Sequence, residues 1–114
     1  MNNTAHQYQA CVDACNACAA ACHSCAMACL QEKDAAMMAR CIALDIDCAA
    51  MCGLASSAMS RNSEFARRLC RLCSEICLAC ANECGRHSHE HCQHCQHCAA
   101  ACKQCSEQCL SMVN

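Results

Sequence analysis

Twenty of the 114 residues are cysteines, and their spacing decides what chemistry they can share. They fall into four groups. The first is Cys11, Cys15, Cys18, Cys22, Cys25 and Cys29; the second is Cys41, Cys48 and Cys52. The third is Cys70, Cys73, Cys77, Cys80 and Cys84; the fourth is Cys92, Cys95, Cys98, Cys102, Cys105 and Cys109. Every gap within a group is 3, 4 or 7 residues, which keeps side chains on one face of an α-helix. A free cysteine can simply pack as a small hydrophobe, but leucine or isoleucine would fill four such stripes better and would resist oxidation. Disulfides along one helix are disfavoured, because i,i+3 and i,i+4 neighbours have Cβ atoms about 5–6 Å apart and a bridge wants about 3.5–4.5 Å. Metal binding remains.

Thiolates are soft ligands that select Cu(I), Zn²⁺ or iron–sulfur clusters, and charge separates these. A Zn²⁺ held by four thiolates leaves two negative charges in an apolar core, which is costly without counter-charges. Cu(I) in a one-to-one ratio with thiolate leaves the core neutral. Each thiolate can then bridge two ions, with sulfurs roughly 4.5 Å apart across a two-coordinate ion, taking about 2.3 Å per bond from zinc–thiolate. Protonated thiols are neutral too, and burial raises their pKa. The metal-free protein should therefore already be folded, each Cu(I) displacing a proton.

Two other patterns compete. Cys92-x-x-Cys95-x-x-Cys98-x-x-x-Cys102 matches a bacterial ferredoxin run, with Lys103 where that pattern has proline. Ala99-Ala100-Ala101 and the onward spacing to Cys105 and Cys109 make this stretch one helix instead of a cluster-wrapping loop. An iron–sulfur electron-transfer protein is the runner-up reading, with general zinc or heavy-metal scavenging behind it. The seven Cys-x-x-Cys pairs lack the strand–helix alternation of a thioredoxin-like redox protein.

The elements that must hold these stripes are helices. The residues between the cysteines are rich in Ala, Gln, Glu, Arg and Met, all good helix formers. Thr4 with Gln7 fits a capping box for the first helix, and Asp34 can cap the second. Ser60-Arg61-Asn62-Ser63 separates the second from the third, with Glu64 in the new first turn; Gly85 can end the third and Ser88 can cap the fourth. The expected helices cover residues 5–30, 34–59, 63–84 and 88–111 of a single domain, 1–114. Short linkers force antiparallel neighbours, so the expected fold is all-α: an up-down-up-down four-helix bundle with a cysteine-lined core. Cys18-Ala19-Ala20-Ala21-Cys22 recurs as Cys98-Ala99-Ala100-Ala101-Cys102, and the same offset of 80 sets Cys11 on His91. The second helix carries only three cysteines on an inward ladder of Met38, Cys41, Asp45, Cys48, Cys52, Ala55 and Met59. Metal loading beside it should be sparser. Asp45 either ligates metal or pairs with a nearby histidine.

His87, His89 and His91 lie at the turn into the fourth helix, at the bundle end shared with Met37 and Met38. Imidazoles and thioethers at one end of a thiol-lined tube form an admission site for a soft cation. His94 and His97 fall off the inward ladder and read as surface residues, as do His6 and His23. Arg67, Arg68 and Arg71 form a solvated or subunit-facing side of the third helix.

Composition excludes most else. Leu, Ile, Val and Phe together number only 13, too few for an ordinary aliphatic core. The scarcity of β-branched and aromatic residues excludes a sheet protein. Eight basic against ten acidic residues give no footprint for nucleic acid or an anionic membrane, and no run of 18 apolar residues points to a bilayer span. The N-terminal residues lack the basic stretch and apolar segment of an export signal. A cytoplasmic location follows as an expectation, and there cysteine patterns serve metal or redox chemistry.

Four cysteine-lined helices, Cys41-x-x-x-Asp45-x-x-Cys48-x-x-x-Cys52, and Cys84-Gly85-x-His87-x-His89-x-His91-Cys92 resemble the bacterial copper storage proteins, cytosolic branch. The resemblance covers nearly the whole chain. It implies a non-enzymatic homotetramer of bundles that stores many Cu(I) ions on the inward cysteines. It also implies that Asp45 and the His87–His91 cluster complete sites at the open end.

Overall fold

A computed structural model describes residues 3–87 and 92–113. Four helices follow one another: α1 (Asn3–Leu30), α2 (Ala39–Ser60), α3 (Ala66–His87) and α4 (Gln93–Ser111), with a short 3₁₀ turn at Ala35–Met38 leading into α2. α1 packs on α2 and α4, and α3 packs on the same two; among the described residues the diagonal pairs, α1 with α3 and α2 with α4, meet only through side chains in the core. This is a square antiparallel bundle, 52 Å long and 19 Å across. All twenty cysteines are buried, nineteen of them completely, Cys92 being 7% exposed. The core is a column of thiols, with alanine filling the seams at Ala49, Ala55, Ala58, Ala66 and Ala81. Small side chains let the helices stay close enough for sulfurs from facing stripes to touch.

The two ends differ. Tyr8, Met59 and Met112 belong to the core where α1 and α3 begin and α2 and α4 finish, and they close that end with bulk. The opposite end, between the α1–α2 connection and the start of α4, holds a cavity of about 150 Å³.

Helix boundaries depart from expectation in several places. α1 already includes Thr4, whose expected capping side chain lies outside the described residues. Asp34 does not cap with its side chain; its carbonyl accepts from the Met37 amide at 2.9 Å and opens the 3₁₀ turn. That turn leaves Met38 buried and Met37 exposed. α3 starts at Ala66 instead of residue 63, leaving Glu64 ahead of its first turn, because Ser63 is used in the preceding turn. Gly85 does not end α3, which continues to His87. Buried Glu83 pairs there with Arg86 at 3.6 Å and His87 at 3.2 Å, and with Arg40 of α2 at 3.3 Å. These pairs extend the helix by a turn, with basic residues at its negative end. Ser88 lies outside the described residues, and Cys92 stands at the N-cap position of α4.

One stretch bears on the expectation about bilayers. Ala35–Ser60 is long and apolar enough to cross a membrane, with a mean hydropathy of 1.4 over eighteen residues. Half of that window is buried within the bundle, so much of its apolar character serves the core.

The α2–α3 turn is built on one residue. Asn62 has φ 54°; its amide donates to Met59 O at 3.1 Å and the Ser63 amide donates to Ala58 O at 2.8 Å. These bonds form a Schellman motif with Asn62 in the left-handed position, where only glycine and asparagine sit at low cost. Replacing Asn62 by Gly should leave stability within about 0.5 kcal/mol, whereas Asn62→Val should lose about 1–2 kcal/mol. Chemical denaturation of the reduced, metal-free protein checks both.

Candidate metal centre

The four stripes meet as a continuous path of sulfur. From the closed end, Cys11 and Cys15 of α1 approach Cys109 at 3.6 and 3.7 Å. Cys105 reaches Cys15 at 3.6 Å and Cys52 at 3.7 Å. Cys77 contacts Cys52 at 3.6 Å and Cys48 at 3.4 Å, and Cys18 reaches Cys48 and Cys102, both at 3.6 Å. Cys22 continues to Cys102 at 3.6 Å and Cys98 at 3.8 Å. Towards the open end Cys41 meets Cys84 at 3.2 Å, and Cys25 meets Cys29 at 3.8 Å. Cys73 lies 3.8 Å from Cys52, and Cys70 neighbours Cys109 and Cys11.

Several levels of this path gather four sulfurs within 4.8 Å of one another. Cys15, Cys52, Cys73 and Cys105 supply one sulfur from each helix, as do Cys18, Cys52, Cys77 and Cys105. Cys18, Cys22, Cys48 and Cys102 form another group; Cys22, Cys80, Cys98 and Cys102 the next; Cys25, Cys29, Cys41 and Cys95 lie nearer the open end. Cys18, Cys22, Cys52, Cys102 and Cys105 belong to at least two groups each, so ligands are shared between adjacent positions. With metal–sulfur bonds of about 2.3 Å, sulfurs stand about 4.5 Å apart across a linear ion and about 4.0 Å apart around a trigonal one. The observed separations fall just below these values. A trigonal ion enters by spreading its sulfurs less than about 1 Å and a linear one by up to about 1.3 Å, within reach of side-chain rotation.

The ferredoxin-type run does not form a cluster-binding loop. Cys98 faces Cys22 and Asp45, whereas Cys102 faces Cys18 and Cys48. From Cys95 onward the run lies on α4 and distributes its sulfurs over successive levels.

Asp45 interrupts the sulfur path from inside and is fully buried. Its Oδ1 accepts from the thiols of Cys80 and Cys98, each at 3.2 Å, and of Cys84 at 3.6 Å. Cys41 donates to Oδ2 at 3.9 Å. No histidine is among its partners in the described residues, and His89 and His91 lie outside them. Burial, and then the negative charge of a Cys98 thiolate, push the Asp45 carboxyl up to about 8. Burial likewise pushes the Cys29 thiol up to about 12. At pH 7 the Asp45 carboxyl and the Cys29 thiol are therefore mainly protonated.

At the open end, Glu32, Asp34, Met37, Met38, His87 and Cys92 line the cavity. His87 thus shares the mouth with the two methionines as expected; His89 and His91 lie outside the described residues. His94 departs from its reading as a surface residue. Its side chain is 23% exposed, with Nε2 3.1 Å from Cys92 Sγ and 3.7 Å from Glu32 Oε1. The first turn of α4 swings it round to the mouth, and a ladder count from the core stripe could not register that. His23, His97, Arg67, Arg68 and Arg71 are exposed.

Disulfide bonding corrects a second expectation. Cys92 and Cys95 are bonded through their sulfurs, with Cα atoms 5.3 Å apart. The spacing argument against bridges assumed both residues on one helix. Cys92 is the N-cap, with φ −94° and ψ 79°, so regular helical spacing does not hold for it. The other eighteen cysteines are free thiols.

A sulfur-lined bundle with this geometry has relatives. The sequence pattern of the copper storage protein family matches residues 4–114. The chain belongs to that family. It is 47% identical over 104 residues, 91% of this chain and 94% of the relative, to the cysteine-rich protein YhjQ of Bacillus subtilis. It superposes on the Cu(I)-bound copper storage protein BsCsp3 of the same organism with a TM-score of 0.87 at 46% identity, covering 94% and 98% of the two chains. A cytosolic copper storage protein from Streptomyces lividans loaded with five coppers gives a TM-score of 0.92 at 34% identity, covering 99% and 97%. In this copper storage chain the thiols are arranged along the bundle at every level.

Asp45 offers a pH test of the metal-free core. Its carboxyl is raised from 3.8 to about 8, so between those values the unfolded chain has lost a proton that the fold retains. Stability from this group is complete below about pH 4 and is lost as pH rises towards 8. Asp45→Asn keeps the shape without the proton. Relative to the natural chain, it should gain at least about 1.4 kcal/mol, one pKa unit's worth, between pH 5 and pH 8. Urea unfolding of both reduced proteins at the two pH values measures it.

Proposed function

We propose that this chain stores Cu(I) by filling the thiol column with many ions, each bridged by shared thiolates. The observation that carries the reading is the set of overlapping four-sulfur groups. Sharing keeps the ratio of ions to thiolates near one, so a loaded core stays close to neutral. The ligands are the inward cysteines of all four stripes, Cys11 to Cys109, with Cys95 joining once its bond to Cys92 is reduced. Asp45 completes sites beside Cys80, Cys84 and Cys98, and His87, His89 and His91 admit copper at the mouth. Loading is sparser beside α2. The chain acts as one domain, residues 1–114, in the cytoplasm, as the Streptomyces relative does, with no reaction to catalyse and neither nucleic acid nor membrane as partner.

The same reading makes it a homotetramer. Ile46 and Leu54 of α2 are 58% and 47% exposed, on the outward side of a helix whose inward side is already in the core. A second copy covers that apolar surface. Ile46→Lys should shift the mass of the reduced protein towards the 12.2 kDa monomer in light scattering coupled to gel filtration; an unchanged mass places the contact elsewhere.

An anaerobic titration of reduced protein with Cu(I), against a coloured competing chelator, tests storage. The expected capacity is on the order of one ion per cysteine, since thiolates select Cu(I) and each bridges two ions, with helicity retained in circular dichroism throughout. Serine at all six α1 positions from Cys11 to Cys29 should lower capacity roughly in step, and unchanged capacity would sink the reading. Alanine at His89 and His91 should slow loading or release with little change in capacity.

A further inference from the structure

Three donors at the mouth stand apart from the sulfur column and differ from it in chemistry. Glu32 follows α1, Cys92 caps α4, and His94 lies in its first turn. His94 Nε2 is 3.1 Å from Cys92 Sγ and 3.7 Å from Glu32 Oε1. A tetrahedral zinc ion, with bonds of about 2.3 Å to sulfur and about 2.1 Å to nitrogen and oxygen, sets S and N about 3.6 Å apart and N and O about 3.4 Å apart. The two observed separations bracket those values.

We propose that the reduced protein holds a divalent ion of the zinc type on Cys92 Sγ, His94 Nε2 and Glu32 Oε1, at a site separate from the Cu(I) column. Charge assigns the metal. A thiolate, a neutral imidazole and a carboxylate sum to two negative charges, which a divalent ion neutralises. In the column a divalent ion on four thiolates leaves two uncompensated charges in an apolar interior. A monovalent ion on the mouth donors would leave one negative charge. Softness points the same way, since a mixed sulfur, nitrogen and oxygen set suits zinc, and an all-thiolate set suits Cu(I).

Surroundings fit an open site. Glu32 and Cys92 both line the mouth cavity of about 150 Å³, which leaves room for a fourth ligand from outside. Nearby His87 is engaged by Glu83 at 3.2 Å and is not counted among the donors. Binding replaces the Cys92 thiol proton by the metal and releases that proton. Cys92 in its bond to Cys95 has no thiolate to give, so the site exists only after reduction. Occupied, it ties the α1–α2 connection to the start of α4 across the mouth.

Crystals of the reduced protein carrying Cu(I) below its capacity, soaked anaerobically in zinc chloride, provide the test. Diffraction recorded on both sides of the zinc absorption edge distinguishes zinc from copper. A zinc peak within bonding distance of all three donors is the expected result. Glu32→Gln and His94→Ala should each weaken zinc binding at this position by at least about tenfold, the least that disturbing a metal's ligand shell costs. Both variants should keep the Cu(I) capacity of the natural chain, which separates this site from storage. Zinc found only among the four-sulfur groups, or bound at the mouth equally well by both variants, overturns the proposal.

Discussion

The constraint on which the rest depends is neutrality in a core made of ionisable groups. Nineteen cysteines are completely buried along with Asp45, and each would cost several kcal/mol as an uncompensated ion. Two states satisfy the constraint: every thiol protonated, or thiolates matched one for one by a monovalent cation. The upward pressure on Cys29 and Asp45 expresses the first state, and sulfur sharing between adjacent groups permits the second. A core that is neutral when empty and nearly neutral when full can load without reorganising its helices.

Helical geometry meets this constraint economically. Spacings of three and four residues place a sulfur on the inner face at nearly every turn, and four such faces in an antiparallel square interleave their rungs. The internal offset of 80 relates α1 to α4, and the structure uses it directly: Cys22 contacts both Cys98 and Cys102. α2 breaks the pattern with Asp45, where Cys80, Cys84 and Cys98 converge on a carboxylate. An oxygen donor at one level of an otherwise all-sulfur path makes that level harder and less attractive to Cu(I) than its neighbours.

Bundle and stripe were legible in the sequence because periodicity is a global signal, repeated in twenty residues that all agree. What escaped was local. Gly85 looks like a helix end, yet Glu83, placed to meet Arg86, His87 and Arg40 together, carries α3 through it; only the fold brings Arg40 there. Asp34 looks like a cap, but its backbone and not its side chain is engaged. Cys92 looks like one more rung, and His94 like a surface residue. Both readings assumed that α4 was already regular at that point. Cys92 is instead the residue where the helix has not yet begun, which frees its sulfur to meet either Cys95 or His94.

The contrast between the two ends gives the column a direction. Tyr8, Met59 and Met112 fill the end where α1 starts, and Tyr8 is only 7% exposed. At the other end carboxylates, an imidazole, thioethers and a nearly buried cysteine surround open space. On the proposed reading, a hydrated cation reaching the mouth meets the carboxylates of Glu32 and Asp34 first, and sulfur beyond them. On that reading the column beyond the Asp45 level is softer than the mouth, and the difference that favours copper's entry also opposes its escape. Release then requires a competitor at the mouth that is softer than the mouth itself, a role that small thiols or another thiolate-bearing protein can fill and hard oxygen ligands cannot.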